Sequence, residues 1–306
     1  MKAVVCTRYG PPEVLRVEEL ATPVPRKNEV RIRILATAVT SSDCYVRGLN
    51  LSPAYRIMGR LALGWNAPRQ PVLGMVLSGE VDSVGPDVTS FEVGQPVFGF
   101  DRHRFGTYAQ YVCWPEDGLL GTRPANLTDD EAAAIPYGGL LALHFLRKAD
   151  VRAGQRVLIY GASGAVGTSA VQLARHSGAQ VTGVCSAANV DLVASLGATT
   201  VIDYTSEDFT DQAMRYDLIF DAVGKRKSAV SLRQCRRVLA SGGACVSVDD
   251  GRPKLCREDL VLLGELATKG KVRPVIDRTC VLDDIVEAHR YVDGGHKRGN
   301  VVVAVT

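Results

Sequence analysis

Three glycines spaced three apart, Gly161, Gly164 and Gly167 in Tyr160-Gly-Ala-Ser-Gly-Ala-Val-Gly167, are the clearest candidates for chemistry. They follow a short apolar run, Arg156-Val-Leu-Ile-Tyr160, and open a segment of helical patterning that ends before Gly178. Gly161 suits the tight turn out of a strand. Gly164 lets the backbone approach an anion, and Gly167 lets the helix lie close to the strand. The unpaired amides and positive end of the helix would then face a diphosphate. The spacing is a relative of the dinucleotide fingerprint, and the absence of a Lys after Gly167 excludes a triphosphate P-loop.

A site for NAD calls for a carboxylate about 20 residues on, at the end of the second strand. No Asp or Glu occurs between Gly161 and Val190, so NADP is expected, with NAD still open to the site. No Lys or Arg lies between Arg175 and Arg215. The grip on a 2′-phosphate would fall to Ser186, Asn189, Tyr204 and backbone amides, or to Arg175 reaching across. The plainer alternative is that Ser186 caps the helix after it.

These residues need elements to hold them. Val30-Arg-Ile-Arg-Ile-Leu35 alternates as a half-buried strand, and short runs at Val72–Val84, Phe91–Phe98 and Gly106–Val112, broken by Gly and Pro, extend an all-β module. Thr128-Asp-Asp-Glu131 reads as a capping box. From Gly154 onward strands at 156–160, 180–185, 200–203, 216–221 and 244–248 alternate with helical segments, the pattern of a parallel doubly wound sheet. Helices over 258–268 and 283–291 and a closing strand at 300–304 return the tail to the first module. The fold class is α/β. The expected domains are 1–125 plus 255–306, discontinuous, and 126–254.

Composition narrows the function classes. At 306 residues the chain suits about two domains, and 46% hydrophobic with 23% charged residues is ordinary globular usage. A net charge of +3 gives no basic face for nucleic acid. No apolar run approaches a membrane span, and polar Thr7 and Arg8 interrupt the start too early for a secretory leader. A soluble, cytoplasmic protein is the expectation. The eight Cys form no C-x-x-C pair and the five His no H-x-x-x-H pair, which argues against structural zinc and helical zinc-protease sites. Most of the Cys read as small buried hydrophobes, with Cys44 the one to watch.

Seven segments together resemble the medium-chain dehydrogenase/reductase superfamily, in its zinc-independent quinone oxidoreductase and enone/alkenal reductase branch. They are Gly79-Glu-Val-Asp-Ser-Val-Gly85, Val93–Gly99, Gly106–Tyr111, Ala134-Ile-Pro-Tyr-Gly-Gly-Leu140, the Gly161–Gly167 turn, Phe220-Asp-Ala-Val-Gly224 and Gly295–Val302. The resemblance implies a GroES-like β module plus a Rossmann doubly wound parallel sheet. Where zinc-dependent members carry soft and imidazole ligands, this chain has Thr40 and Met75, which cannot hold catalytic zinc. No metal site is therefore expected.

By position, the resemblance implies that Ser163, Gly164, Ala165 and Val166 contact the diphosphate. Ser186, Asn189 and Tyr204 surround the 2′-phosphate. Val223, Ser247 and Val248 border the nicotinamide, Thr40 hydrogen-bonds the cofactor, and Asn300 reaches the ribose beside the nicotinamide. The chemistry would be hydride transfer from NADPH to a quinone or α,β-unsaturated carbonyl, with the protein supplying orientation. The enolate or phenolate formed needs a proton donor. Tyr45 is the first candidate and Tyr137 the second, against the alternative that either ring simply packs. Met58, Leu61, Leu63 and Trp65 are read as a substrate wall or as ordinary core. The expected partner is a small electrophile, with a homodimer as the assembly such chains often adopt. The other function carried is a non-catalytic NADP(H)-binding protein. A short-chain dehydrogenase is excluded because no Tyr has Lys four positions on.

Overall fold

Local sequence sets the first strands of the computed structural model, which describes residues 1–49, 53–211, 213–225 and 232–305. Strands β1 (Lys2–Cys6) and β2 (Leu15–Glu19) pair antiparallel. β3 (Glu29–Val39) is the spine of a larger sheet. Its Val30, Ile32 and Ile34 are buried, while Arg31 and Arg33 on the other face pair with Asp82 and Glu80 across the ladder. Alternation thus becomes one apolar face and one charged face. Helices α1 (Ser41–Gly48) and α2 (Pro53–Leu63) follow, then β4 (Val76–Val84), β5 (Pro96–Phe100), β6 (Tyr111–Pro115), β7 (Leu120–Thr122) and a short α3 (Asp129–Ala133). The Thr128–Glu131 capping box that opens α3 is formed in full.

Helix α4 (Pro136–Lys148) leads into alternating strands and helices: β8 (Arg156–Tyr160), α5 (Ala165–His176), β9 (Gln180–Cys185), α6 (Val190–Ser195), β10 (Thr200–Asp203), β11 (Tyr216–Asp221), α7 (Leu232–Val238), β12 (Leu239–Ser247) and α8 (Arg257–Thr268). Among the described residues these strands form a five-stranded parallel sheet in the order β10-β9-β8-β11-β12. The chain winds outward from β8 to one edge, then crosses back to β11 for the other. The carboxyl ends of β8 and β11 therefore lie at a topological switch point, where open α/β sheets bind ligands. The chain ends with β13 (Ile276–Val281), α9 (Ile285–Asp293) and β14 (Asn300–Ala304). β14 pairs antiparallel with β3 and parallel with β13, giving the order β13-β14-β3-β4-β5-β7 with β6 also on β3.

Two compact units result, 1–136 with 276–306 and 137–275. The breaks expected at 125/126 and 254/255 lie instead at 136/137 and 275/276. Long-range bonds account for both differences. Ser78 Oγ donates to Asp129 at 2.7 Å and Thr279 Oγ1 to Asp130 at 3.1 Å, holding α3 in the first unit. Arg147 pairs with Asp259 on α8, and Arg273 N donates to Gln172 Oε1 at 2.9 Å, holding 257–275 in the second. Two strands are also displaced: β5 starts at Pro96 and β6 at Tyr111, while Ala109 makes an isolated bridge to Ala3.

Candidate coenzyme site

The glycine turn forms the geometry its spacing calls for. Gly161 has a φ of +77°, a region that penalises any side chain. Its amide and that of Ala162 both donate to Val184 O at 3.0 Å, tying the turn to β9. A Cβ at Gly167 would lie 2.0 Å from Gly161 O, so the helix reaches the strand only because that side chain is missing. A Cβ at Gly164 would meet only Gly161 O at 3.6 Å, leaving open space above it. Gly164 is the N-cap of α5 and no side chain caps the helix. The first-turn amides of Ala165, Val166 and Gly167 therefore have no intrahelical acceptor, and Ser163 stands half-buried beside them. An uncapped helix start with an open glycine above it has the geometry that can receive an anion.

The neighbouring strand end is organised by a residue that sequence reasoning passed over. Asp221 is 3% exposed and accepts from Val223 N at 3.1 Å, Gly224 N at 3.2 Å and Ser247 Oγ at 3.0 Å. Val248 N donates to Asp221 O at 3.1 Å. The buried carboxylate thus gathers Val223 and Ser247, and the Asp221 carbonyl holds Val248, three of the expected nicotinamide-side residues. Val223 leans on the turn: a Cβ at Gly161 would fall 2.4 Å from its Cγ2. The sequence signal was Asp221 directly at the carboxyl end of a buried strand, a position where an acid needs donors.

The far end of the site is built from β9 and β10. Tyr204 N donates to Cys185 O at 3.0 Å, which sets Tyr204 beside Ser186. Asn189 Nδ2 donates to Ser186 Oγ at 3.0 Å, and Asn189 Oδ1 is buried without a partner. Ser186 makes no side-chain cap, so the capping alternative is not realised. Three expected residues therefore converge. Arg175 is placed elsewhere: its side chain packs over Gly197, past the end of α6 opposite Asn189. Asp203 does join, which the count of acids up to Val190 could not show. Amides of Thr205 and Ala187 and the hydroxyls of Thr205 and Ser206 hold its carboxyl below the usual range. A cavity of about 440 Å³ opens beside Tyr204, with Tyr160 and Phe209 on its aromatic side and Glu207, Asp208 and Gln234 on its polar side.

In the first unit, Thr40 is the N-cap of α1. Its hydroxyl donates to Asp43 Oδ2 at 2.6 Å and accepts from Asp43 N at 3.2 Å, so its proton is already committed. The pattern Thr40-x-x-Asp43 could have announced this. Burial pushes the Asp43 carboxyl up to about 6, against the donors from Thr40. Tyr45 is half-buried on α1, and Asn300 is buried on β14. Met75 is a core residue at 3% exposure. Cys44 Sγ lies 3.4 Å from His289 Nδ1, which also accepts from Arg47 at 3.0 Å. A guanidinium in that position repels a cation, and among the described residues no group of three His, Cys, Asp or Glu could hold a metal ion. Met58, Leu61 and Trp65 are each more than half exposed, which removes the core alternative for them. Tyr137, in the second unit, is half-buried next to Gly138, whose Cβ would fall 2.2 Å from Ala165 O. No helix among the described residues is long and apolar enough to cross a membrane.

Known proteins agree with this architecture. The alcohol dehydrogenase GroES-like domain matches residues 26–124, and two zinc-binding dehydrogenase models match 165–274 and 250–303. The 2-methylene-furan-3-one reductase of Solanum lycopersicum is 32% identical over 324 residues, covering 99% of this chain and 79% of that protein. The chloroplastic NADPH-dependent alkenal/one oxidoreductase of Arabidopsis thaliana is 29% identical, with 99% and 79% covered. Among solved structures, the quinone oxidoreductase from Coxiella burnetii superposes with a TM-score of 0.84 at 29% identity, over 100% of this chain and 99% of that one.

Proposed function

This chain is an oxidoreductase of the medium-chain dehydrogenase/reductase superfamily, and from that premise we propose that it reduces a quinone or an α,β-unsaturated carbonyl with NADPH and without zinc. The observation that carries the reading is the uncapped, open glycine turn at the switch point of the parallel sheet. When bound there, the coenzyme supplies a hydride. The first-turn amides of α5 hold its diphosphate. Ser186 and Asn189 offer a hydroxyl and an amide to the adenosine end, and Tyr160 and Tyr204 offer ring faces to a planar base. Val223 and the Asp221-anchored strand end orient the reactive ring.

The chain's own donors do not suit a zinc ion. Thr40 and Met75 stand at the positions of zinc ligands elsewhere in the family, and Cys44 faces His289 beside Arg47. The proton for the reduced substrate comes in this proposal from a phenol, Tyr45 first and Tyr137 second. Asp203 moderates the preference for NADPH, since its negative charge sits at the adenosine end. The test is to mix the protein with NADPH or NADH and a panel of quinones and alkenals, and follow oxidation of the coenzyme. Turnover with NADPH ahead of NADH is expected. Tight coenzyme binding with no turnover across the panel would replace this reading with that of a non-catalytic binding protein.

A further inference from the structure

Cys235 on α7 and Cys245 on β12 carry their Sγ atoms 2.7 Å apart. A disulfide bond is ~2.05 Å long, so closure asks for about 0.7 Å of travel. The two thiols differ in access. Cys235 is 1% exposed within an apolar cluster that includes Leu158, Ile219 and Val238. Cys245 is half-buried, and both cysteines line a cavity of about 220 Å³ together with Asp221, Lys225 and Asp250, the last two forming an ion pair at its margin. We propose that Cys235 and Cys245 are a reversible dithiol–disulfide site, oxidised by small disulfides of the glutathione type.

The step balances as thiol–disulfide exchange. Cys245 loses its proton to solvent, and its thiolate attacks one sulfur of the small disulfide, expelling the other as a thiolate that takes up a proton. Cys235 then loses its proton and attacks Cys245 Sγ, expelling the second small thiol. Two protein thiols are oxidised, and one small disulfide is reduced to two thiols. Cys245 is the half-buried sulfur that a small disulfide can reach, with Lys225 as the cation in the same cavity lining, whereas Cys235 is 1% exposed. That makes the accessible sulfur the attacking one and the buried sulfur the resolving one. β12 is held in register on β11, with Ile219 opposite Cys245, so α7 is the element that moves. The bridge would pin α7 to the strand whose end, Ser247, bonds Asp221.

The test treats the full chain with glutathione disulfide under native conditions, then blocks free thiols and maps peptides by mass. The expected result is a linked Cys235–Cys245 peptide, lighter than its two parts by two hydrogen atoms, that dithiothreitol dissolves. Exposed Cys256 serves as the control, and a glutathione adduct that stays unresolved is expected there. In Cys235→Ser the adduct on Cys245 should persist, because nothing resolves it. Free thiols at both positions in the wild-type chain, a lasting adduct on Cys245 there, or a bridge to any other cysteine would each overturn the proposal. The proposal is independent of which substrate the enzyme reduces.

Discussion

Gly164→Ala separates coenzyme binding from folding. A methyl at 164 finds only Gly161 O, 3.6 Å away, and the φ of −79° suits alanine. The cost to the fold is the weaker N-cap preference of alanine, about 1 kcal/mol, or roughly 2–4 °C in Tm. The same methyl occupies the face that a diphosphate must approach. Charge-assisted hydrogen bonds are worth ~1.5–3 kcal/mol each, so displacing the anion from one amide weakens coenzyme binding by about 10- to 100-fold. Gly167→Ala works the other way. Its Cβ would lie 2.0 Å from Gly161 O and 2.8 Å from Ala162 backbone atoms, which cannot turn aside. Overpacking of that kind costs about 3 kcal/mol and should appear as a lower Tm before any coenzyme is added. The assay is NADPH fluorescence titration beside thermal melts of both variants. A Gly164→Ala protein with the wild-type Kd would refute the cradle, and so would one that melts as low as Gly167→Ala.

Further outcomes test neighbouring parts of the account. Asp203→Asn removes a negative charge from the adenosine end and should improve NADPH over NADH by about two- to fivefold in kcat/KM, read from paired kinetics. Asp221→Ala strands two backbone amides and a serine hydroxyl, and urea melts should show a loss of ~2–4 kcal/mol together with weaker coenzyme binding. Tyr45→Phe should lower kcat while leaving the coenzyme Kd unchanged, and Tyr137→Phe takes that role if Tyr45→Phe turns over normally. His289 is held neutral, its value pushed down to about 3 by burial and then by Arg47. The unfolded chain gains a proton near pH 6.5 and the folded one does not, so stability falls as pH drops from 6.5 towards 3, by up to ~5 kcal/mol. Asp43, raised to about 6, acts with the opposite sign and offsets part of this as pH falls from 6 towards 4. Stability curves of His289→Asn against wild type over that range should isolate the histidine.

Local physics was legible in the residues, and long-range pairing was not. Gly161, Gly164 and Gly167 announce a cradle because each answers a separate steric demand, and Thr128-x-x-Glu131 announces a helix start by a four-residue bond pattern. The same local logic applied to Thr40-x-x-Asp43 would have shown that the threonine proton is already used. The unit boundaries depend on Asp130 meeting Thr279 and on Arg147 meeting Asp259, contacts more than a hundred residues apart in the chain. Asp203 approaches Ala187 only because β10 lies beside β9. The sulfur pair is hidden in the same way, since Cys235 and Cys245 are ten residues apart on a helix and a strand with no motif between them.

The central claim is best tested by a crystal structure of the chain with NADP⁺ bound. The account predicts diphosphate oxygens within hydrogen-bond distance of the amides at the start of α5, directly over Gly164, with the adenosine end beside Ser186 and Tyr204. A diphosphate bound elsewhere, with the turn after Tyr160 left unused, would contradict it.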